Sequence, residues 1–271
     1  MTRLAHLIAV LVATLLVAAT AHAAVRTKTV EYKHGDTTLE GLLAWDDAQQ
    51  GRRPGVLVVH EWYGLNEYAR SRAEQLAKMG YVAFALDMYG KGVRANNPGD
   101  AGKLASTYKS DRQLMRDRAK AGLEVLRKQD NVDTRRIAGI GYCFGGQVCL
   151  ELARANADVA GVVSFHGALD TPDPKATQSV KAKVLVCHGA IDPFVPDAHV
   201  TAFRDEMEAA RADYQIIAYA GAVHSFTNPG ADKAGLKGVA YNEPADRRSW
   251  RAMQEFFNEI FGAGVGQSRT R

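Results

Sequence analysis

Hydrophobic positions along the chain alternate between short apolar runs and longer stretches with a period near 3.6. The runs predict strands at 25–32 and 39–44, joined through Gly35-Asp36 as an N-terminal hairpin. Further strands are predicted at 56–60, 81–86, 137–142, 159–165, 184–187 and 215–219. The unbroken apolar run at 56–60 suits a strand covered on both faces. Helical patterns fall at 66–79, with Asn66 as cap and Gly80 as stop, and at 111–129, 144–154, 197–210 and 247–261. Residues 90–102, rich in Gly, Asn and Pro, predict a loop. Strand–helix alternation of this kind predicts an α/β fold, a mainly parallel sheet with helices on both faces. No linker or repeat interrupts 24–262, so one domain is expected there, with 263–271 a disordered tail.

Residues 1–23 follow another pattern. Arg3, an apolar stretch at 7–19 and a closing Ala21-His22-Ala23 predict a secretory signal cleaved after Ala23. The alternative is a membrane anchor, but 7–19 falls short of the about 20 residues that span a bilayer. No Cys follows the cleavage point, which argues against a lipoprotein. The mature protein is therefore expected in the periplasm or outside the cell, without membrane contact.

Composition narrows the classes further. A chain 46% hydrophobic and 24% charged is globular, which excludes disorder or coiled coil as the main state. The formal charge of +4 is mild and no run of Lys or Arg occurs, so a nucleic-acid partner is not expected. A monomer is expected. Three cysteines, Cys143, Cys149 and Cys187, leave at least one free thiol in an exported chain. They form no C-x-x-C pair and no zinc-like spacing with His, so neither metal nor cofactor is expected. A Cys149–Cys187 disulfide is the less favoured arrangement of the remaining two.

Ligand sites in such sheets form beyond the carboxyl ends of the strands. Gly141-Tyr142-Cys143-Phe144-Gly145 lies there, between a strand and a helix. This is the nucleophile-elbow pattern with Cys in the Ser position. The turn aims the side chain outward, its glycines make room, and the helix N-terminus favours a thiolate and later an oxyanion. The plainer reading is a packed Cys in a Gly-rich turn. Gly139-x-Gly141 is no dinucleotide fingerprint, because Phe144 stands where the third Gly belongs. A thiol nucleophile needs a base and an orienting acid, in the chain order nucleophile, acid, His. Asp192 and His224 each follow a predicted strand in that order. Taken alone, Asp192 could be a turn former before Pro193, and His224 a loop residue. His60, His166 and His188 end buried strands and read as structural.

The motifs His60-Glu61-Trp-Tyr-Gly-Leu-Asn66, Leu86-Asp87-Met-Tyr89-Gly, Gly-Tyr-Cys143-Phe-Gly-Gly146, Gly189-Ala-Ile-Asp192-Pro-Phe-Val-Pro196 and Val-His224-Ser-Phe226 together resemble the dienelactone hydrolase family of α/β-hydrolases. The resemblance covers about 25–262. It implies a Cys143-His224-Asp192 triad that hydrolyses lactones or carboxylic esters through an acyl-enzyme. It implies that Glu61 contacts the resting thiol, where a carboxylate would disfavour the thiolate. It also implies an oxyanion hole from the backbone N–H groups of Trp62 and Phe144. The family's carboxylate-gripping arginines are replaced here, one by Lys91 and the other by Asn228. Tyr63, Tyr89, Tyr142 and Phe194 are expected, with Trp62, to give an aromatic pocket. A thioesterase, or a non-catalytic binding protein on the same fold, are the alternatives.

Overall fold

The computed structural model describes residues 24–262, so the expected signal and the expected disordered tail lie outside the described residues. β1 (Val25–His34) and β2 (Thr37–Asp46) form the antiparallel hairpin predicted from the sequence, turning at Gly35. They extend a sheet completed by β3 (Arg53–Val59), β4 (Val82–Leu86), β5 (Val132–Tyr142), β6 (Gly161–Phe165), β7 (Lys183–Gly189) and β8 (Tyr214–Tyr219). The order of the eight strands is β1-β2-β4-β3-β5-β6-β7-β8. β2 meets β4 antiparallel, and every pair from β4 onward is parallel. This is the α/β-hydrolase architecture expected from the sequence.

The pleat divides each central strand between two cores. In β3, Leu57 and Val59 face one core, and Val56 and Val58 the other. The first core is closed by α2 (Pro98–Ser110), α3 (Arg112–Arg127), α4 (Phe144–Arg154) and α5 (Asp197–Ala209). α1 (Glu67–Lys78) and α6 (Glu243–Phe261) close the second. Among the described residues no helix is long and apolar enough to cross a membrane.

α2 corrects the loop predicted over 90–102. Asn97 caps it by accepting from the Asp100 N–H, and Pro98 sits in its first turn. Its buried side is only Ala101, Ala105 and Tyr108, too sparse an apolar face to give a period. α6 starts four residues earlier than predicted, because Asn242 caps it and Pro244 occupies its first turn.

Candidate active site

The carboxyl ends of β3, β5, β6 and β7 converge on one cavity of about 630 Å³, within the range of small-molecule sites. Cys143 stands at the turn from β5 into α4, with φ 53° and ψ −114°, a strained conformation for a residue with a side chain. The turn closes only because Gly141 has no Cβ, which would run into the Gly145 carbonyl. The N–H of Phe144 opens α4, where the helix has no partner for it. Phe144 and Trp62 both line the cavity.

The structure brings Cys143, His224 and Asp192 into contact. Cys143 Sγ lies 3.1 Å from His224 Nε2, and His224 Nδ1 lies 2.8 Å from Asp192 Oδ2. Asp192 is held by its other oxygen, which accepts from the Phe194 N–H at 2.9 Å. Burial alone would lower the His224 pKa. The Cys143 charge and the Asp192 carboxylate outweigh it and lift the value to about 10. The backbone of His224 is pinned as well. Its N–H donates to the Gly238 carbonyl at 3.1 Å, and its own carbonyl accepts from the Ala240 N–H at 3.2 Å. Gly238, at φ 82°, presses on the Pro193 ring with no room for a side chain.

Glu61 lines the same cavity but does not contact the thiol, contrary to the expectation from the family resemblance. Its Oε1 accepts from Ser225 Oγ at 3.0 Å and its Oε2 from Asn228 Nδ2 at 2.6 Å. Both oxygens are thus occupied, and the thiol is left to His224. Burial pushes the Glu61 pKa up, while these two donors, His224 and Arg72 pull against it.

Tyr63, Phe194 and Asn228 line the cavity as expected for pocket residues. Tyr89, Lys91 and Tyr142 do not. Tyr142 is one residue out of phase with Cys143, so the pleat sends it to the opposite core, stacked 4.8 Å from Phe165. Tyr89 is buried and braces the wall from behind, donating to the Trp62 carbonyl at 2.9 Å. Lys91 is drawn to the hairpin, where it pairs with Glu31. Cys149 and Cys187 are buried and unpaired, with no disulfide between them.

His60 and His166 are buried and hydrogen-bonded, as read from the sequence, and His166 has a consequence for the site. Its Nδ1 accepts from the Cys143 N–H at 3.1 Å, so its Nε2 carries the hydrogen toward Thr227 Oγ1, 2.7 Å away. The same Cys143 N–H also reaches the Phe165 carbonyl at 3.0 Å. Burial, with the charge of His224, holds His166 well below its ordinary pKa. Thr227 is tied in turn to Tyr68 at 2.6 Å and, through its carbonyl, to Arg72 at 2.8 Å. Sequence reasoning missed Thr227, Ser225 and Tyr68. Ser225 lies within the Val-His224-Ser-Phe226 motif, but no sequence pattern marks Thr227 or Tyr68, which meet only when the loop after β8 folds over α1. Among the described residues no cluster of His, Cys, Asp or Glu is arranged to hold a metal ion.

The sequence profile of the dienelactone hydrolase family matches residues 39–261. A solved structure described as a dienelactone hydrolase-like promiscuous phosphotriesterase from metagenomic libraries is 41% identical. The likeness covers 88% of this chain and 99% of that one, with a TM-score of 0.84. A Yersinia pestis protein described as a candidate carboxymethylenebutenolidase is 28% identical, over 82% of this chain and 84% of its own. A thermophilic esterase of Thermogutta terrifontis shares the fold at 19% identity, covering 90% of this chain and 95% of its own, with a TM-score of 0.61.

Proposed function

Since the chain belongs to the dienelactone hydrolase family and is a hydrolase of ester bonds, we propose that it cleaves lactones or carboxylic esters through a cysteine triad. The observation that carries this reading is the 3.1 Å approach of Cys143 Sγ to His224 Nε2, with Asp192 at 2.8 Å behind the imidazole. His224 takes the thiol proton and the thiolate adds to the scissile carbonyl carbon. The carbonyl electrons move onto oxygen, and the backbone N–H groups of Trp62 and Phe144 stabilise the oxyanion. Collapse breaks the carbon–oxygen bond, and the leaving alkoxide takes the proton from His224. The imidazole then deprotonates a water, which attacks the thioester and returns the thiol. Asp192 holds the imidazole in the tautomer that both proton transfers need.

The protein works outside the cytoplasm, after loss of residues 1–23 as a signal, and as a monomer on a small-molecule substrate. Mass spectrometry of protein from its host should find a chain starting near Ala24; full-length protein in the membrane fraction would replace the cleaved signal with an anchor. The same thiol would serve a thioesterase. Phosphotriester hydrolysis is a second reading, favoured by the described activity of the relative that is 41% identical. The test is hydrolysis of p-nitrophenyl acetate, dihydrocoumarin and paraoxon by the wild type and Cys143→Ala. Turnover of the first two that disappears in the variant, with a mass increase on Cys143 during turnover, supports the ester and lactone reading. Equal rates in the two proteins overturn it.

A further inference from the structure

Resting on that hydrolytic reading, we infer that Phe194, with Leu236 and Val239, forms a subsite for the leaving group. The substrate class is an ester or lactone whose departing oxygen carries an aromatic or bulky apolar group.

The chemistry itself places the two halves of such a substrate. The carbonyl oxygen turns to the N–H groups of Trp62 and Phe144, and the departing oxygen must reach His224 Nε2 to collect its proton. Whatever that oxygen carries therefore starts beside the imidazole. Two segments build the surface there. Phe194 meets the His224 ring edge to face, with the centroids 5.2 Å apart. Residues 236–240 run alongside His224, with Val239 in bridge register with it, and both Leu236 and Val239 line the cavity.

Phe194 is 53% exposed, yet it is held in place. Its N–H donates to Asp192 Oδ1 at 2.9 Å, and a Cβ on Gly238 would lie 3.5 Å from its Cε2. Val93, Ile191 and Phe194 are the large apolar side chains exposed among the described residues, and of these only Phe194 lines the cavity. A ring fixed before binding loses little freedom when a guest covers it. The hydrogen-bonding groups next to the base are already engaged. The Ser225 hydroxyl donates to Glu61, and the Asn228 amide donates to Glu61 and accepts from the Gly230 N–H at 2.8 Å. Lys237, the charged member of 236–240, is exposed at the rim. A small polar alcohol gains little here, whereas an apolar one covers the face of Phe194 and removes water from it.

The experiment compares kcat/KM for benzyl acetate and methyl acetate. Benzyl alcohol and methanol are similarly acidic, so the two esters differ in the apolar bulk of the alcohol rather than in leaving ability. Methyl phenylacetate against methyl acetate carries the same ring on the acyl half and serves as the control. The benzyl-to-methyl ratio should be about tenfold or more in the wild type. It should fall about tenfold in Phe194→Ala, with the control ratio moving by less than about twofold. Phe194→Leu, which keeps apolar bulk and loses the ring, should fall between the two. Equal falls in both ratios, or no fall in either, overturn the inference.

The wild type alone supplies a second measurement. A leaving-group subsite also receives an incoming alcohol. His224 takes the alcohol proton, the alkoxide oxygen adds to the thioester carbonyl carbon, the carbon–sulfur bond breaks and the thiolate regains the proton. With p-nitrophenyl acetate as donor and the two alcohols at equal concentration, benzyl acetate should exceed methyl acetate by about tenfold. Equal yields overturn the inference. The hydrolytic reading fails separately. Hydrolysis that survives in Cys143→Ala without an acyl-enzyme overturns that reading, and a benzyl-to-methyl ratio that still depends on Phe194 there sustains the subsite. An acyl-enzyme on Cys143 with no dependence on Phe194 does the opposite.

Discussion

The Asn228 side-chain amide donates to the buried carboxylate of Glu61 across 2.6 Å, beside the Ser225 hydroxyl that closes the other oxygen. A negative charge in the floor of the cavity is thus met in its hydrogen bonding by neutral donors. The pKa of Glu61 is raised accordingly, first by burial.

That shift fixes the sign of a stability prediction. The folded pKa lies above the ordinary 4.5, so the ionised carboxylate costs the fold stability. The cost is absent below the ordinary pKa and grows as pH rises through the raised one. Glu61→Gln keeps an acceptor for Ser225 and removes the charge. Thermal melts should show the variant equal to wild type near pH 4 and more stable by a few degrees near pH 7. A variant less stable at pH 7 would mean that the charge itself holds the loop.

Asp192→Asn should lower the His224 pKa from about 10 and cut kcat/KM by about a thousandfold. The raised pKa means the imidazolium's contribution to stability is complete below pH 6.5 and disappears as pH climbs toward about 10. NMR titration of the imidazole should find its proton lost at lower pH in the variant. An unchanged titration with near-normal turnover would remove Asp192 from the triad.

One thiol of the three should react. Burial pushes Cys149 up and Cys187 up to about 12, whereas Cys143 lines the cavity. Iodoacetamide at neutral pH should therefore label Cys143 first, with turnover lost in step. Cys143→Ala should lower kcat by about a thousandfold or more, and Cys149→Ala should not. Loss of activity in Cys149→Ala with Cys143→Ala still active would reverse the assignment.

His166 offers a sharper separation between positioning and packing. In His166→Asn the Oδ1 atom can still accept from the Cys143 N–H, replacing Nδ1. In His166→Gln the side chain can still donate to Thr227 but no longer accepts from the nucleophile turn. Kinetics should show kcat largely kept in the Asn variant and about tenfold lower in the Gln variant, with little change in KM. Equal losses in both variants would assign His166 to packing alone.

The strong periods were legible in the sequence because burial alone imposes them. The pattern at 111–129 is α3, and the apolar run at 56–60 lies on β3. α2 was not, since three small or half-polar contacts suffice to seat it and two glycines sit among its first residues. Cys143, Asp192 and His224 were legible because each follows a strand, and a parallel sheet delivers such residues to one edge. The partner of Glu61 was not. Whether that carboxylate meets a sulfur or an amide depends on the path of residues 225–228, which Tyr68 and Arg72 set from another helix by holding Thr227. The misplacement of Tyr142 has a simpler source, because chain adjacency to Cys143 does not survive the pleat.

The segment that pins the backbone of His224 is the one that carries Lys237 at the entrance. Gly238 follows that lysine directly, takes the His224 N–H and rests on Pro193, next to the acid behind the imidazole. Doorway and base therefore lie on two strips of chain that the backbone hydrogen bonds of Gly238 and Ala240 with His224 hold side by side. A substitution on this strip at the entrance is therefore also a substitution beside the base, and its effect is expected in kcat as well as in KM.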